Sequence, residues 1–355
     1  MQLVMRQTTL FTIFAVVSFL LIASGGQALF SATAGWDANA VAKMAGEGRF
    51  DEGSYGVTAF VYALVPPVLR GALVYVIGGW FILYSLRRLQ TNVHGLLMLF
   101  LALAPSILTV ATFQKDLLLV PFLIAAAWSL ERFTKGAALI GLVGLVYALY
   151  GYLFRDYYYL ILFFFLFILA VRKLPLQWKF LLFLGLVLIL MVTPVSILQT
   201  LEGPRDTVNY YRLRDPSFVG ARTAFANLLP IDGAWPFTVN YIYALIRLNS
   251  AFFLDPGPKE LFLELNVLAY FFAIIIGFRG SSRHARNAAS LLLAHLIVLT
   301  FFEPDLGSYI RHLSSTLPIA AIPIAEYFSR RRWRFVWKGA ASLRSGERLV
   351  EQRAP

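Results

Sequence analysis

Long apolar stretches separated by short polar connections dominate the pattern along this chain. Ten segments of about 14 to 20 residues contain almost no charged side chains. Roughly 20 apolar residues suffice for a helix to cross the hydrocarbon core of a membrane. The pattern therefore predicts an all-α bundle of about ten transmembrane helices. The predicted spans are Leu10–Leu29, Leu69–Leu86, Gly95–Thr112, Leu117–Leu130, Ala137–Phe154, Tyr157–Val171, Phe180–Leu198, Leu261–Phe278, Ala288–Phe302 and His312–Phe328.

Composition supports a membrane protein. Of 355 residues, 59% are hydrophobic and 14% are charged, whereas about a quarter of a soluble domain is charged. The net charge of +12 is often a sign of nucleic-acid binding, but basic residues also mark the cytoplasmic loops of membrane proteins, and we favour that interpretation. The chain has no cysteine, which excludes disulfides, zinc–thiolate sites and a cysteine nucleophile.

The distribution of charge predicts the orientation. With the N-terminus inside and ten alternating spans, the inside holds 19 of the 31 basic residues and only 4 of the 19 acidic ones. This asymmetry predicts cytoplasmic N- and C-termini. It divides the chain into a membrane domain, 1–328, and a basic cytoplasmic tail, 329–355. An alternative for the first span is a signal peptide cleaved near Ala32-Thr33-Ala34.

Charged residues of the outward connections lie where helices meet the membrane surface. Lys115-Asp116 and Arg155-Asp156 are two such pairs, and Glu303, Asp305, Arg311 and His312 form a third group. Charges at membrane depth are costly, so each group is a functional candidate. The alternative is that they are interfacial charges that snorkel to the surface or pair with a neighbour.

Two outward loops are long, about 30–68 and 199–260. The second contains Asn209-Tyr210-Tyr211-Arg212-Leu213-Arg214-Asp215 and, further on, Arg222. Arginine forks match phosphate oxygens, and tyrosine rings can stack on sugars. The alternative is a solvated loop whose arginines pair with Glu202, Asp206 and Asp215. The apolar stretch Pro236–Leu254 predicts an amphipathic helix on the outer surface.

Asp37 lies just past the first span, before a short predicted helix. A carboxylate there could act as a general base on a sugar hydroxyl. An aspartate at this position could equally cap the helix, which aspartate does well.

These motifs resemble a pattern in bacterial polysaccharide-assembly membrane proteins, namely the O-antigen and exopolysaccharide polymerases and their integral-membrane C-type glycosyltransferase relatives. The resemblance rests on Pro105-Ser106 followed by Lys115-Asp116, on Arg155-Asp156-Tyr157, and on the stretch from Glu303 through Gly307-Ser308-Tyr309-Ile310-Arg311-His312 to Pro318. Asp37 is similar to the catalytic aspartate of C-type enzymes. The chain departs from those enzymes by lacking a soluble C-terminal domain, and Asp51-Glu52 matches their second acidic motif poorly.

The resemblance implies a protein of the bacterial inner membrane that transfers glycan from a polyprenyl-diphosphate carrier to an acceptor hydroxyl. Asp37, Glu303 or His312 would be the base. The diphosphate and glycan would be held by Lys115, Arg155, Arg212, Arg214, Arg222, Arg311, Tyr210 and Tyr211. Lipids and other polysaccharide-assembly proteins are further expected partners. No cofactor, metal site or nucleic acid is predicted, although metal dependence is left open. The alternatives are a C-type enzyme adding single sugars from a polyprenyl phosphate, and a transporter or flippase of lipid-linked glycan.

Overall fold

The computed structural model describes residues 7–25, 36–51, 53–88, 93–133, 137–214 and 223–330. These residues form helices and connections, without a strand among them, which confirms the all-α class. The helices are α1 Gln7–Ala23, α2 Trp36–Gly46, α3 Gly53–Leu64, α4 Pro67–Leu86, α5 Val93–Val110, α6 Lys115–Arg132, α7 Ala137–Leu153, α8 Tyr157–Val171, α9 Leu176–Val192, α10 Val195–Arg214, α11 Ala234–Asn249, α12 Ala251–Leu254, α13 Pro258–Arg279, α14 Arg283–Phe302, α15 Leu306–Ser314 and α16 Leu317–Arg330.

Several of these helices have the length and composition of a membrane span. Helices α4, α13 and α14 qualify by themselves within the described ranges, and α9 with α10 would add a fourth if this bent pair is one span. Shorter apolar helices cover 8–23, 100–110, 137–153, 157–171 and 317–328. The length and composition of these helices support a membrane protein, while the count of ten spans stays a prediction.

Helix α14 lies at the centre of the bundle and contacts α6, α8, α10, α11, α13, α15 and α16. Small residues explain how its neighbours come so near, because short side chains allow helix backbones to approach closely. At the crossing of α13 and α14, a Cβ placed on Gly277 would lie 2.7 Å from the Ala289 Cβ and 2.9 Å from the Ala285 carbonyl oxygen. A larger residue at Gly277 would push the two helices apart.

The last predicted span, His312–Phe328, is divided in the structure. Asp305 caps a separate short helix, α15, by accepting a hydrogen bond from the Ser308 amide at 2.7 Å, which is the usual role of aspartate at this position. Helix α16 begins only at Leu317. Arg311 and His312 therefore lie on a short helix inside the bundle end rather than at the start of a span. The predicted tail lies outside the described residues from 331 onward.

The predicted second outward loop, about 199–260, is largely helical in its described residues, which include most of α10 and all of α11 and α12. Helix α10 continues to Arg214 and is inclined by 93° to α9. Hydropathy concealed it because its average composition is polar, yet Glu202, Arg205 and Asn209 follow helical spacing and are buried. The predicted amphipathic helix Pro236–Leu254 is present as α11 and α12, with Phe237, Asn240, Ala244 and Leu248 as the buried face of α11.

Candidate functional site

Charged side chains from distant parts of the chain meet at one end of the bundle. We call the following set the charged cluster: Asp37, Lys115, Asp116, Arg155, Glu303, Arg311 and His312. Helices α2, α6 and α15, the connection after α7 and the end of α14 supply them. From the sequence we expect Asp37, Lys115, Arg155 and Arg311 to share one outward-opening cavity, and the structure brings these four side chains together.

Asp116 is the centre of the charged cluster and is completely buried. Its carboxylate oxygens lie 3.3 Å from Arg311 Nε, 3.5 Å from Arg155 Nη2 and 3.5 Å from His312 Nε2. None of these contacts has hydrogen-bond geometry within the described residues. Burying an ion costs several kcal/mol unless partners compensate, so the two guanidinium groups are needed to keep Asp116 ionised. Sequence reasoning named Asp116 only as a neighbour of Lys115 and missed this role.

Asp37 lies on α2 against the edge of the cluster. One carboxylate oxygen accepts a hydrogen bond from Arg311 at 2.5 Å and lies 4.0 Å from Lys115 Nζ. The other accepts from the Tyr55 hydroxyl at 2.6 Å. Burial opposes ionisation, but Arg311, Lys115 and Tyr55 outweigh it and lower the pKa of Asp37. Asp37 is therefore held as an anion and, with both oxygens engaged, is a weak base in this state.

Tyr55 is a second residue that sequence reasoning missed. It lies on α3, and the Lys115 ammonium lies 3.9 Å from the centre of its ring. Burial and the neighbouring carboxylate of Asp37 raise the pKa of Tyr55, so its hydroxyl stays protonated and donates. A lone tyrosine in an apolar helix carries no sequence signal that would distinguish it from the core.

His312 and Glu303 form a hydrogen-bonded pair. The ring Nδ1 contacts Glu303 Oε1, and the Ser308 hydroxyl donates to the other carboxylate oxygen at 2.6 Å. Burial opposes ionisation of Glu303, but the contacts from His312, Arg155 and Ser308 together outweigh it, and the pKa falls to about 2. Glu303 is thus a poor base, and its geometry is that of a carboxylate orienting an imidazole.

Arg155 defines the tautomer of His312. Its Nη1 lies 2.7 Å from His312 Nε2. A guanidinium can only donate, so Nε2 accepts and Nδ1 carries the proton that Glu303 receives. The tautomer that fits these two contacts is the neutral one, with its Nε2 lone pair directed at Arg155.

The remaining predicted residues divide into two groups. Arg212, on α10, forms an ion pair with Asp305, next to the charged cluster, because Asp305 begins the helix that holds Arg311 and His312. Arg214 instead donates to the Tyr210 hydroxyl at 2.5 Å on an exposed surface, and the structure shows no contact between this pair and the described residues of the charged cluster. Arg222 and the side chain of Tyr211 lie outside the described residues.

A separate buried network lies nearer the N-terminal end of α10. Arg205 pairs with Glu202 at 3.0 Å and lies 3.8 Å from Asp206. Asn227 donates to both carboxylates at 2.8–2.9 Å. These ion pairs fit the alternative in which arginines of the second loop pair with acidic residues of the same loop. Arg205 also contacts the Thr300 carbonyl of α14, so the network anchors α10 to α14.

The charged cluster is balanced in charge. With Lys115 protonated, three cations, Lys115, Arg155 and Arg311, face three carboxylates, Asp37, Asp116 and Glu303, and His312 is neutral in the tautomer described. Burial lowers the pKa of Lys115 to about 7, so its charge depends on pH. Every cation thus already faces a carboxylate, so an anionic ligand would compete with the carboxylates for the guanidinium groups. Such a ligand would release Asp37 from Arg311 and the His312 lone pair from Arg155.

No protein-family model matches the chain, and neither a curated protein nor a solved structure is significantly similar to it. Within the described ranges, no three or more His, Asp or Glu side chains are grouped so as to hold a metal ion. The function is therefore argued from the geometry of the charged cluster.

Proposed function

We propose that this chain is an integral membrane glycosyltransferase of surface-polysaccharide assembly, using glycan carried on a polyprenyl diphosphate. The observation that carries the proposal is the convergence of three cations and an oriented neutral histidine at one end of an apolar helix bundle. The substrate has a lipid tail, an anionic diphosphate and a sugar hydroxyl. An apolar bundle, guanidinium donors and a base are the groups that recognise these three parts.

In the proposed reaction, His312 Nε2 takes the proton of the acceptor hydroxyl. The acceptor oxygen attacks the anomeric carbon, and the bond from that carbon to the diphosphate breaks, with its electron pair leaving on the diphosphate. Glu303 keeps the imidazole in the required tautomer and orientation. Because Arg155 covers Nε2 in the structure, the base becomes available only when Arg155 turns to the diphosphate. Substrate binding would thereby switch on the base.

Arg311 and Lys115 are proposed to hold the departing diphosphate. A planar guanidinium binds two phosphate oxygens at once, and fixed cations stabilise the charge that develops on a leaving group. Asp37 occupies Arg311 in the resting state and would be displaced by the diphosphate. Once displaced, Asp37 is the second candidate for the base.

Arg311 gives the sharpest test. In proteoliposomes supplied with a polyprenyl-diphosphate-linked glycan, we expect Arg311→Lys to lose elongation almost as completely as Arg311→Ala, since lysine lacks the planar fork. Lys259→Ala, an exposed change at the same end of the bundle, is the control. Elongation by Arg311→Lys at the wild-type rate, with normal protein levels, would remove Arg311 from the site.

The surface polysaccharide of a strain lacking the protein distinguishes polymerisation of repeat units from the addition of single sugars. Surface lipid capped with a single repeat would indicate a polymerase, whereas a truncated repeat would indicate a C-type enzyme that adds one sugar. Unchanged polysaccharide would contradict both forms of the proposal.

The proposal includes the ten-span arrangement with both termini in the cytoplasm of a bacterium. Reporter fusions after Arg88, Lys135, Lys173 and Arg283 should report the cytoplasm, and a fusion near Asp215 should report the outside. A cytoplasmic signal at Asp215 would contradict this topology and the outward-facing site.

A transporter or flippase of lipid-linked glycan is the second candidate, because one observation favours it. The chain bends by 93° between α9 and α10, and α10 carries buried charges. Broken helices with polar segments are common at transporter binding sites. Proteoliposomes distinguish the two functions, since a transporter would move a labelled lipid-linked glycan across the bilayer without lengthening it.

A further inference from the structure

A second ionic site lies at the opposite end of the bundle, where α4 and α6 end. A cavity of about 430 Å³ opens there, and we call its lining the arginine site: Arg87, Arg88, Trp128, Glu131 and Arg132. The charged cluster lies at the other end of α6, so this cavity is separate from the proposed glycan site.

The arginine site carries a surplus of positive charge. The Glu131 side chain, 8% exposed, pairs with Arg87, and its other carboxylate oxygen lies 2.8 Å from Arg88 Nε. A guanidinium has five N–H donors, so both arginines keep donors for a ligand. Arg132 forms no ion pair with any described residue. Three cations and one carboxylate leave two positive charges.

The two helix ends reduce this surplus without cancelling it. Each C-terminus of a helix contributes roughly half a negative charge, and both α4 and α6 end at the cavity. About one positive charge therefore remains. A monoanionic phosphodiester matches that balance better than a dianionic free phosphate does.

An exposed apolar stripe runs along α4 up to the arginine site. Val76, Trp80 and Leu83 follow each other at helical spacing and are 66%, 46% and 51% exposed, and Arg87 lies one turn beyond Leu83. This helix is long and apolar enough to span a membrane. Trp128 is about half exposed beside the cavity, as tryptophans often are at the membrane interface.

We infer that the arginine site binds an anionic phospholipid, with the phosphodiester between Arg88 and Arg132 and an acyl chain along the Val76–Leu83 stripe. Charge and apolar surface meet here in the order in which a phospholipid presents them. An anionic headgroup is selected over choline because a second cation would face three guanidiniums. The inference stands apart from the proposed function, since it needs only a membrane-embedded α4.

The purified chain in a neutral detergent, titrated with phosphatidylglycerol and followed by native mass spectrometry, tests the site. We expect Arg132→Gln to weaken phosphatidylglycerol binding about fivefold and the Arg88→Gln, Arg132→Gln double variant roughly 25-fold, at about fivefold for each basic residue. Arg283→Gln removes the same charge from an exposed position at the same end outside the cavity, and should bind as the wild type does.

Three further measurements cover the other outcomes. Phosphatidylcholine should bind more weakly than phosphatidylglycerol to the wild type, and equal binding would overturn the anion site. Glycerophosphoglycerol, the monoanionic phosphodiester headgroup without its acyl chains, should not compete at equal concentration, and full competition would overturn the lipid assignment. Leu83→Gln leaves all the arginines in place and should weaken phosphatidylglycerol binding, because it disrupts the apolar contact with the acyl chain. Wild-type binding by both Leu83→Gln and Arg132→Gln would refute the site.

Discussion

The ionic groups at the two ends of the helix bundle differ in how deeply they are buried and in how far apart their residues lie in the chain. In the charged cluster, Asp116 is completely buried and its cations are at most 26% exposed. In the arginine site, a buried Glu131 lies beneath two arginines that are 40% and 43% exposed. The first assembles partners from the whole chain, whereas the second joins only the ends of two neighbouring helices.

This difference separates the energetic roles of the two ends. Exposed ion pairs typically contribute about 0.2–1 kcal/mol to stability. Removing one partner of a buried pair costs about 3–5 kcal/mol, although a matched apolar core would often be as stable as the intact pair. A buried cluster is therefore a poor means of gaining stability, and this supports the proposal that the charged cluster has a functional role.

The largest expected effect is on turnover at the charged cluster. His312→Gln should slow glycan elongation by about 10²–10⁴-fold, the usual contribution of a general base, while lipid-linked substrate still binds. His284→Gln is the matched change at the opposite end, where His284 Nδ1 lies 2.7 Å from the Leu130 carbonyl oxygen. An equal loss in both variants would show that the assay reports folding instead of catalysis.

The next effect is on stability. Asp116→Asn keeps the shape of the side chain but leaves Arg155 and Arg311 facing each other without the buried carboxylate. We expect the free energy of unfolding to fall by about 3–5 kcal/mol, measured by reversible unfolding in mixed micelles. A change below about 1 kcal/mol would mean that water or a ligand already compensates the two guanidiniums.

A smaller effect depends on pH. Asp37→Asn should lower the free energy of unfolding by about 1.5–3 kcal/mol at neutral pH, because it loses a charged hydrogen bond. Since the folded pKa of Asp37 is lowered, its contribution is complete above the ordinary value of 3.8 and disappears as the pH falls through the folded pKa. The difference in free energy of unfolding between wild type and variant should therefore shrink as the pH is lowered. A difference that does not change with pH would contradict the ion pair.

The smallest effect is expected at the opposite end. Glu131→Gln should change the free energy of unfolding by no more than about 1 kcal/mol, since its arginine partners reach water. The same micelle measurement compares it directly with Asp116→Asn. A loss as large as that of Asp116→Asn would remove the contrast between the two ends.

Sequence reasoning was most successful where a local pattern carries the information. Apolar runs predicted most of the helices, and charges next to those runs identified Asp37, Lys115, Arg155, Glu303, Arg311 and His312 as candidates. It failed on α10, because average polarity concealed a helix with a buried charged face. The structure places two other candidates, Tyr210 and Arg214, on an exposed surface of α10.

The sequence by itself determined the helical, apolar character of the chain and the position of charges at the ends of its helices, because both follow from neighbouring residues. Only the tertiary structure decided which charges meet. Asp37 and Arg311 are 274 positions apart, and Arg155 and His312 are 157 apart. No local pattern encodes such pairings, since they depend on how the helices pack. Packing likewise determined that Asp116 is the buried centre and that Glu303 orients His312.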